Sequence, residues 1–445
     1  MEFEIVIKQI EDGETVSEQS IRKVCVEKPE TLLDVGFRHA EQVQIINDIQ
    51  QVYIPLQCQL LAESHGCCPN CKKKVKKNGR HPVTFHSSLG DYKFKMQSYS
   101  CVHCGWQEKP TIHGEFGTNV HPDLLKLQAF HGAKAPYKEA QSVLNEFSAC
   151  KRSVNNHVKI SEATNKIGEI LDQLKTEESV ENVKPVKSIY LHVDGGHIKD
   201  KDREKRSFEA MIATVFKPES YHQISDKVRK IKGKHIAASA LDDGGNQINQ
   251  FVLKAAQKEG LGIKTKVVAF SDGAKNCWNI VDSLAPYCGK IVKILDWFHI
   301  RQAYDKAMSA LPDYKDELQS SKYKVWHGLK KDSTKKLSNL IEVLKQNEVP
   351  ETKIDKVIFI KNYLTNNSDK IVNYMKRKNK GLPYTSNVAE ATVESQINVR
   401  FKRKQKMQWS RENAHNVLQL RTTVASDEWA KYQSQLDKKL VQKAA

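Results

Sequence analysis

The sequence predicts an α/β fold in which one mixed sheet carries the chemistry. Apolar and polar residues alternate in short segments between residues 188 and 297, as expected for strands. Segments with apolar residues three and four apart separate the last three of these strands, as expected for connecting helices. In addition, an aspartate follows the apolar part of two of the strands, where open α/β sheets bind their ligands.

The composition restricts the class of partner. The chain of 445 residues has 71 lysines and arginines against 53 aspartates and glutamates, which gives a formal net charge of +18. This balance favours a polyanionic partner, nucleic acid first. The N-terminus lacks the apolar core of a signal peptide, and no stretch approaches the roughly 18 apolar residues of a membrane span. We therefore expect a cytoplasmic protein with nucleic acid, DNA first, as partner and no membrane contact.

Two CxxC pairs predict one structural zinc ion. Cys68 and Cys71 form the first pair, and Cys101 and Cys104 form the second. Four thiolates at this spacing bind Zn²⁺ tetrahedrally, and the basic and aromatic sequence between the pairs suits the strands of a zinc ribbon. The lysines after Cys71 either line a phosphate backbone or form an ordinary solvated run of charge.

Residues 116–178 show helical periodicity and predict a helix-turn-helix-like segment. A break near Phe147 separates the first helices from a basic helix that begins near residue 151. The segment is either a DNA-reading unit or an ordinary helical hairpin. The side chains that a DNA-reading unit would present to a groove are Lys151, Arg152, Asn155, Asn156 and His157. A charged, apolar-poor linker at 179–186 follows.

The strands beyond the linker occur in the order strand, strand, strand, helix, strand, helix, strand. They are SIYLHVDGG (188–196), RSFEAMIATVF (206–216), KHIAASAL (234–241), KVVAFSD (266–272) and KIVKILDW (290–297). This order is that of an RNase H-like fold, whose first and fourth strands lie side by side at the centre of the sheet. Asp194 closes the first strand and Asp272 the fourth, so we expect their carboxylates to meet.

Two carboxylates held close together repel each other unless a cation lies between them. Oxygen ligands at a site for phosphate indicate Mg²⁺ or Mn²⁺. With a third acid, two such ions can bridge a scissile phosphate, one activating the attacking hydroxyl or water and the other stabilising the leaving oxygen. The chemistry therefore requires a third carboxylate.

Several motifs, taken in their order along the chain, resemble those of a known family. VDGG, FSDGA, ILDWFHI and a C-terminal segment that begins SNVAEATVES are similar to motifs of bacterial insertion-sequence DDE transposases. The likeness is to the Kra-type group and more distantly to Mutator-like elements, and it covers roughly residues 60–430. It implies an Asp-Asp-Glu triad on Asp194, Asp272 and Glu390, with an all-helical insertion before the glutamate.

The resemblance also implies an activity. Such a protein binds the terminal repeats of its element and a target DNA, hydrolyses a phosphodiester, and joins the freed 3′-hydroxyl to the target with two Mg²⁺ or Mn²⁺ ions. Bridging two element ends implies a homodimer or a larger assembly. The alternative is a transposase-derived, zinc-containing DNA-binding protein without catalysis. A structure-specific nuclease on the same fold is a third possibility.

Further residues lie near the expected triad. Asp296 and His299 match a D-x-x-H element of the family, with helix capping by Asp296 as the alternative. Glu394, one helical turn after Glu390, is the competing third acid. The residues expected to hold the DNA strand are Arg400, Lys402, Arg403, Lys404, Lys406 and Trp409. Trp409 is alternatively a core residue.

The predicted domains follow from these assignments. They are an N-terminal segment (1–60), the zinc ribbon (61–115), the helical DNA-binding segment (116–178), the linker (179–186), the first part of the RNase H-like core (187–299), the helical insertion (300–384), the part of the core with the glutamate helix (385–430) and a C-terminal tail (431–445).

Overall fold

The computed structural model describes most of the chain in two units. The described residues are 1–63, 66–107, 112, 116–181, 183–224, 229–385, 391–402 and 407–441. One unit comprises Met1–Ile170 with Tyr432–Ala445, and the other comprises Leu171–Lys431. The first unit contains the predicted zinc ribbon, and the second contains the predicted sheet and helical insertion.

The first unit begins with a β-hairpin and a long helix. Strands β1 (Glu2–Glu11) and β2 (Glu14–Cys25) are antiparallel. Both residues of the turn between them have positive φ, as in the hairpin turns that match the twist of the strands. Helix α1 (His39–Glu63) follows. Residues 1–60, expected only as an N-terminal segment, therefore contain regular structure.

The region of the predicted zinc ribbon contains an antiparallel hairpin that packs on α1. Strands β3 (Lys76–His86) and β4 (Asp91–Ser100) form this hairpin. Its apolar face packs against α1, and the residues in this contact are Val83, Tyr92 and Met96 with Ile54 and Cys58. Side chains alternate across a strand, so the residues between these point away from α1. The exposed outward residues include Arg80, Lys93 and Lys95.

Helices occupy the next part of the first unit, as the periodicity predicts. They are α2 (Pro122–Lys134), α3 (Tyr137–Phe147) and α4 (His157–Glu177), and the last continues into the second unit. The predicted break near Phe147 is confirmed. The following helix begins at His157 rather than near residue 151, because a 3₁₀ turn at Ser153–Asn155 precedes it.

A five-stranded sheet forms the centre of the second unit. Its strands are β5 (Ser188–Lys199), β6 (Ser207–Phe216), β9 (His235–Ser239), β10 (Lys266–Ser271) and β11 (Lys290–Leu295). A short hairpin of β7 (Tyr221–Gln223) and β8 (Arg229–Ile231), which the sequence did not predict, lies between β6 and β9 in the chain. The spatial order is β11-β10-β5-β6-β9, so the predicted contact between the first and fourth strands is confirmed. β5, β10 and β11 are parallel, and β6 is antiparallel to both of its neighbours.

Helices cover both faces of this sheet. On one face, α5 (Asn246–Lys258) and α6 (Lys275–Asp282) pack against the odd-numbered residues of β5, such as Leu191. On the other face, helices from residues 297–379 pack against Phe216 and Phe270. These helices are α7 (Trp297–Ala310), α8 (Lys315–Trp326), α9 (Lys330–Gln346), α10 (Glu351–Asn366) and α11 (Tyr374–Asn379). Residues 300–379 are therefore mostly helical, in the region where the sequence predicts a helical insertion (300–384).

The remaining described segments complete the chain. A π-helical turn at Glu394–Asn398 packs on β5, and helix α12 (Arg411–Ala425) packs on β9. Helix α13 (Trp429–Val441) follows. None of the helices in the described ranges combines the length and the apolar character that a membrane span requires.

Candidate functional site

Three aspartates lie at one level of the sheet, Asp194 within β5 and Asp272 and Asp296 directly after β10 and β11. The register pairs His192 of β5 with Phe270 of β10, an offset of 270 − 192 = 78. The same offset separates the first two aspartates, since 272 − 194 = 78. Between β10 and β11 the offset is 295 − 271 = 24, which also separates Asp272 from Asp296. Continued past the strand ends, the register therefore brings the backbones at Asp194, Asp272 and Asp296 side by side.

Asp194 does not close its strand, which corrects the expectation from the sequence. β5 continues to Lys199, and Asp194 pairs with Ile212 of β6. Its parallel ladder with β10 ends two residues earlier, at His192. At Asp194, β5 is therefore no longer paired with β10 but is still paired with β6. Gly195 and Gly196 continue this antiparallel pairing. Asp272 follows the last residue of β10, as predicted.

Asp194 lies in an environment that disfavours its charge. Burial raises its pKa to about 6, and the negative charges of Asp272 and Asp296 act in the same direction. The backbone N–H of Gly195, which donates to Asp194 Oδ1 at 2.8 Å, and the charge of His299 partly oppose this effect. A cation bound beside Asp194 would relieve this cost.

Asp272 forms the turn that leads from β10 into α6. Its Oδ1 accepts hydrogen bonds from Ser271 Oγ at 3.1 Å and from the Ala274 N–H at 2.9 Å. The turn passes through Gly273, whose φ of 100° favours glycine. On the other side, the hydroxyl of Tyr363 donates to the backbone carbonyl of Asp272. The two bonds to Oδ1 fix the direction of the carboxylate, and the bond from Tyr363 holds the backbone that carries it.

Asp296 both caps a helix and holds a histidine. Its side chain is fully buried, its Oδ1 accepts from the Phe298 N–H at 3.1 Å, and its Oδ2 lies 3.1 Å from His299 Nδ1. Burial lowers the pKa of His299. The hydrogen bond and the charge of Asp296, with the charges of Asp194 and Asp272, outweigh burial and raise that pKa to about 9. At neutral pH His299 therefore carries a positive charge beside the aspartates.

Of the two candidates for the third acid, only Glu394 is among the described residues. Glu390 is outside the described residues. Glu394 is exposed, and its Oε2 accepts from Asn398 Nδ2 at 2.7 Å. The π-helical turn that carries Glu394 reaches β5 through Ile397, which contacts Gly196. This segment therefore approaches β5 two residues beyond Asp194.

The four cysteines of the CxxC pairs converge in the first unit. Their sulfur atoms lie within 4.8 Å of one another, and within the described ranges no other His, Cys, Asp and Glu side chains meet in a group of three or more at that distance. The Sγ atoms of Cys68 and Cys104 are 3.5 Å apart, and those of Cys71 and Cys101 are 3.4 Å apart. Tetrahedral zinc with Zn–S bonds of about 2.3 Å separates its sulfurs by about 3.8 Å. The predicted convergence of four thiols is confirmed, and their geometry fits Zn²⁺.

Several residues expected to contact DNA lie in the interior. Arg152, Asn155, Arg400 and Trp409 are buried, whereas Lys151 and Lys402 are exposed. The Arg152 guanidinium donates to the carbonyls of Ser87, Ser88 and Gly90 and pairs with the Asp91 carboxylate. Arg400 lies over the Trp409 ring at 4.7 Å. Because these groups are enclosed by protein, they stabilise their own units and do not face a DNA groove.

Arg403, Lys404 and Lys406 lie outside the described residues. Asn156 is half-buried and donates to the Ser153 carbonyl at 2.7 Å, and His157 is exposed at the start of α4.

Three residues that surround the aspartates were not predicted from the sequence. The hydroxyls of Tyr363 and Tyr374 donate to the carbonyls of Asp272 and Leu295, across 91 and 79 residues of sequence. His192, two residues before Asp194, lies between Phe216 and Phe270, and burial lowers its pKa to about 4. Its ring nitrogens have no hydrogen-bond partner among the residues that the structure describes. The alternation of β5 could have identified His192 as a neighbour of Asp194 on the same face.

Comparison with known proteins gives a family match and matches among solved structures. The model of a family described as an uncharacterised protein family, UPF0236, matches residues 129–435, which are 435 − 129 + 1 = 307 of the 445 residues. No curated protein matches the chain. Among solved structures, the chain is similar to one in the Drosophila P element transposase strand transfer complex. The identity is 9%, the match covers 73% of this chain and 83% of that chain, and the TM-score is 0.23. A likeness this slight does not establish a common fold.

Proposed function

The chain belongs to the uncharacterised protein family UPF0236, and we propose that it acts as a DDE-type DNA transposase. The observation that carries this proposal is the alignment of Asp194, Asp272 and Asp296 at one level of the sheet. In the proposed site Asp194 and Asp272 are the first two acids and Glu390 is the third. Asp296 acts through His299, because both of its oxygens are already engaged.

The topology of the sheet supports an RNase H-like core. Numbered along the chain, the strands of the sheet lie in the order 5-4-1-2-3, with the second antiparallel to both of its neighbours. This is the order from which the sequence argument placed the first two acids together. The helices between β11 and the π-helical turn correspond to the insertion that the resemblance implies.

The donor set fits two divalent cations with a preference for oxygen. Asp194, Asp272 and Glu390 would hold Mg²⁺ or Mn²⁺. Bound there, the ions would activate the attacking water or 3′-hydroxyl and stabilise the leaving oxygen. The raised pKa of Asp194 supports such a site, since the carboxylate is buried at a point where a cation would stabilise its charged form. His299, fixed by Asp296, would add a positive charge toward a bound phosphate.

The charge of the chain supports DNA as the partner. The net charge is +18, and the outward face of the β3–β4 hairpin presents Arg80, Lys93 and Lys95. Within the described ranges these three side chains form no ion pair, so they are available to phosphate groups. We propose that this face helps to bind element ends, and that two copies of the chain bring two ends together.

The test measures cleavage and binding separately. Purified protein with Mg²⁺ or Mn²⁺ should nick or join DNA that carries an element end. Asp194→Asn and Asp272→Asn should bind this DNA with unchanged affinity and show no cleavage, because they remove charge at the ions and leave the basic surface intact. Asp313→Asn, at an exposed aspartate of the same unit, is the matched control and should cleave normally. Equal loss of DNA binding in both site variants would show that these aspartates have only a structural role.

One observation favours a second candidate, a zinc-containing DNA-binding protein descended from a transposase and lacking catalysis. The four cysteines are assembled for a metal ion, whereas the described aspartates do not bring three oxygens within 4.8 Å of one another. This candidate predicts DNA binding that depends on zinc, with no cleavage at any concentration of Mg²⁺ or Mn²⁺.

A further inference from the structure

A groove lies next to the turn that carries Asp272. It has a volume of about 770 Å³, within the usual range for ligand sites, and residues of α6, β11 and α10 contribute to its lining. Gly273, the residue after Asp272, is among the lining residues. A ligand in the groove would therefore lie next to the backbone that carries Asp272.

The lining combines positive charge with side-chain amides. Lys275, Lys293 and Lys370 face the groove, together with Asp282 and Asp355. Lys293 pairs with Asp282 at 2.7 Å and Lys370 with Asp369 at 2.9 Å. Lys275 has no ion pair within the part of the chain that the structure describes. The amides are those of Asn279, Asn362, Asn366 and Asn367. Such a lining offers lysines to phosphates and carboxamides to groups that both donate and accept hydrogen bonds.

An exposed aromatic ring on the wall points to flat ligand groups. Phe359 is 60% exposed and lines the groove. Its ring is stacked on Tyr363, with centroids 5.9 Å apart and planes within 7°. Tyr363 in turn bonds to the carbonyl of Asp272. The rings therefore connect an open stacking surface to the proposed site.

These features favour unpaired nucleotides over a duplex. In a duplex the faces of the bases are covered by their neighbours and the pairing edges are occupied, so neither Phe359 nor the amides could engage them. In a single strand the faces and edges are free, and the phosphates remain within reach of lysines. Lysines, amides and an exposed ring together are the means by which proteins hold single strands.

We propose that this groove holds unpaired nucleotides of the strand that adjoins the phosphate to be cut. The substrate of the enzyme is then DNA that is locally opened beside the cleavage position. This inference rests on the proposed function, since it uses the continuity between Gly273 and the proposed acid Asp272. Phe359 stacks on a base, Lys275 contacts a phosphate, and Asn362 and Asn366 contact base edges.

The affinity of the protein for a labelled 12-nucleotide single strand, measured by fluorescence anisotropy without added divalent cation, tests the proposal. Phe359→Ala should weaken binding at least about fivefold, the loss expected for one stack between a base and an aromatic ring. Tyr287→Ala removes another exposed ring of the same unit, outside the groove, and should leave the affinity unchanged. Phe359 is largely exposed, so its truncation should not alter the melting temperature, which is checked in parallel.

A mapping experiment locates the strand independently of affinity. An oligonucleotide with 5-iodouracil should crosslink, on irradiation, to the peptide that contains Phe359, as identified by mass spectrometry of the full-length protein. Element-end DNA with a few mismatched pairs beside the cleavage position should be cut faster than fully paired DNA, and Phe359→Ala should lose this advantage.

The outcomes separate this inference from the proposed function. Unchanged single-strand affinity in Phe359→Ala, together with crosslinks confined to other peptides, would reject the proposal that the groove binds a single strand, even if Asp272→Asn is inactive. Crosslinks at Phe359 with full cleavage by Asp272→Asn would support single-strand binding in the groove and reject the proposed catalytic acids. Equal competition by a blunt duplex for the same crosslink would also overturn the proposal.

Discussion

The backbone of Gly196 lies directly against the side chain of Ile397. A Cβ atom at position 196 would lie 2.8 Å from Ile397 Cδ1 and 2.9 Å from its Cγ2, closer than such atoms approach in real structures. Ile397 is part of the π-helical turn Glu394–Asn398, and such turns occur frequently at functional sites. The absence of a side chain at Gly196 therefore allows this turn to pack on β5 next to Asp194.

Substitution of Gly196 by alanine should displace the π-helical turn. The added methyl group has to push Ile397 away from β5, at a cost of about 1–3 kcal/mol in the free energy of unfolding. Limited proteolysis should then cut more readily around residues 391–402, and DNA cleavage should fall while DNA binding persists. Gly66→Ala is the control, because a Cβ at that position meets no atom within 4 Å. Unchanged proteolysis in Gly196→Ala would show that the contact with Ile397 does not hold the segment.

The two glutamates one turn apart should differ in their effect on cleavage. Glu390→Gln should abolish metal-dependent cleavage and leave DNA binding intact. Glu394→Gln should retain measurable cleavage, because the Glu394 carboxylate is exposed and bonded to Asn398. Gel assays of end cleavage and of complex formation measure both properties. The reverse result would make Glu394 the third acid, and full activity in both variants would reject the DDE assignment.

Replacement of two cysteines from different pairs should release the zinc. Cys68→Ser combined with Cys101→Ser should lower the zinc content from about one ion per chain to none, since four thiolates form one tetrahedral site. Element-end binding should weaken as the β3–β4 hairpin loses its support. Cys150→Ser, at an exposed cysteine outside the cluster, should keep its zinc. Elemental analysis of protein purified under reducing conditions without chelators decides the matter, and a metal-free wild type would reject the zinc site.

The Asp91–Arg152 pair should make the first unit sensitive to acid. Burial raises the pKa of Asp91, but the hydrogen bonds and charges of His86 and Arg152 outweigh it and lower the pKa to about 2, from an ordinary 3.8. A lowered carboxyl pKa contributes stability that is complete above the unfolded value and is lost as the pH falls through the folded value. We therefore expect a contribution of about 2 kcal/mol that is present above pH 4 and disappears toward pH 2.

Urea titrations of the wild type and of Asp91→Asn measure this contribution. At pH 7 the variant should unfold with a free energy about 3 kcal/mol lower, because it leaves the Arg152 guanidinium, 2% exposed, without its counter-ion. The difference should shrink below pH 4. Zinc loss in acid affects both proteins alike, so the difference isolates Asp91. Asp123→Asn removes a largely exposed carboxylate from Lys126, which keeps its pair with Asp437, and should cost less than about 1 kcal/mol. A constant difference across pH would exclude the titration of Asp91 as its source.

The sheet could be predicted from the sequence because its signals are local and its topology follows from their order. Alternating residues mark β5 and β10, and the strand order alone brings their ends together. The continuation of β5 beyond Asp194 was missed because the two glycines suggested a turn, whereas they extend the pairing with β6.

The contacts of single side chains could not be predicted in the same way. Arg152 lies in a basic stretch that is typical of a DNA-binding surface, but its partner Asp91 is 61 residues away. Tyr363 and Tyr374 lie on helices whose periodicity explains only which face is apolar. The strand carbonyls that they bond belong to another part of the chain, and no local pattern indicates a hydrogen bond of that kind.

The hydroxyls of Tyr363 and Tyr374 have a consequence for the order in which the protein is made. Both tyrosines leave the ribosome well after Asp296, by 363 − 296 = 67 and 374 − 296 = 78 residues. A nascent chain thus presents all three aligned aspartates before it has the groups that hold the adjoining strand ends. A chain that ends before residue 363 would contain the three aspartates and lack both tyrosines and Glu390, the proposed third acid. The late synthesis of the tyrosines, followed by that of Glu390, therefore delays assembly of the proposed site until after the strands of the sheet have been made.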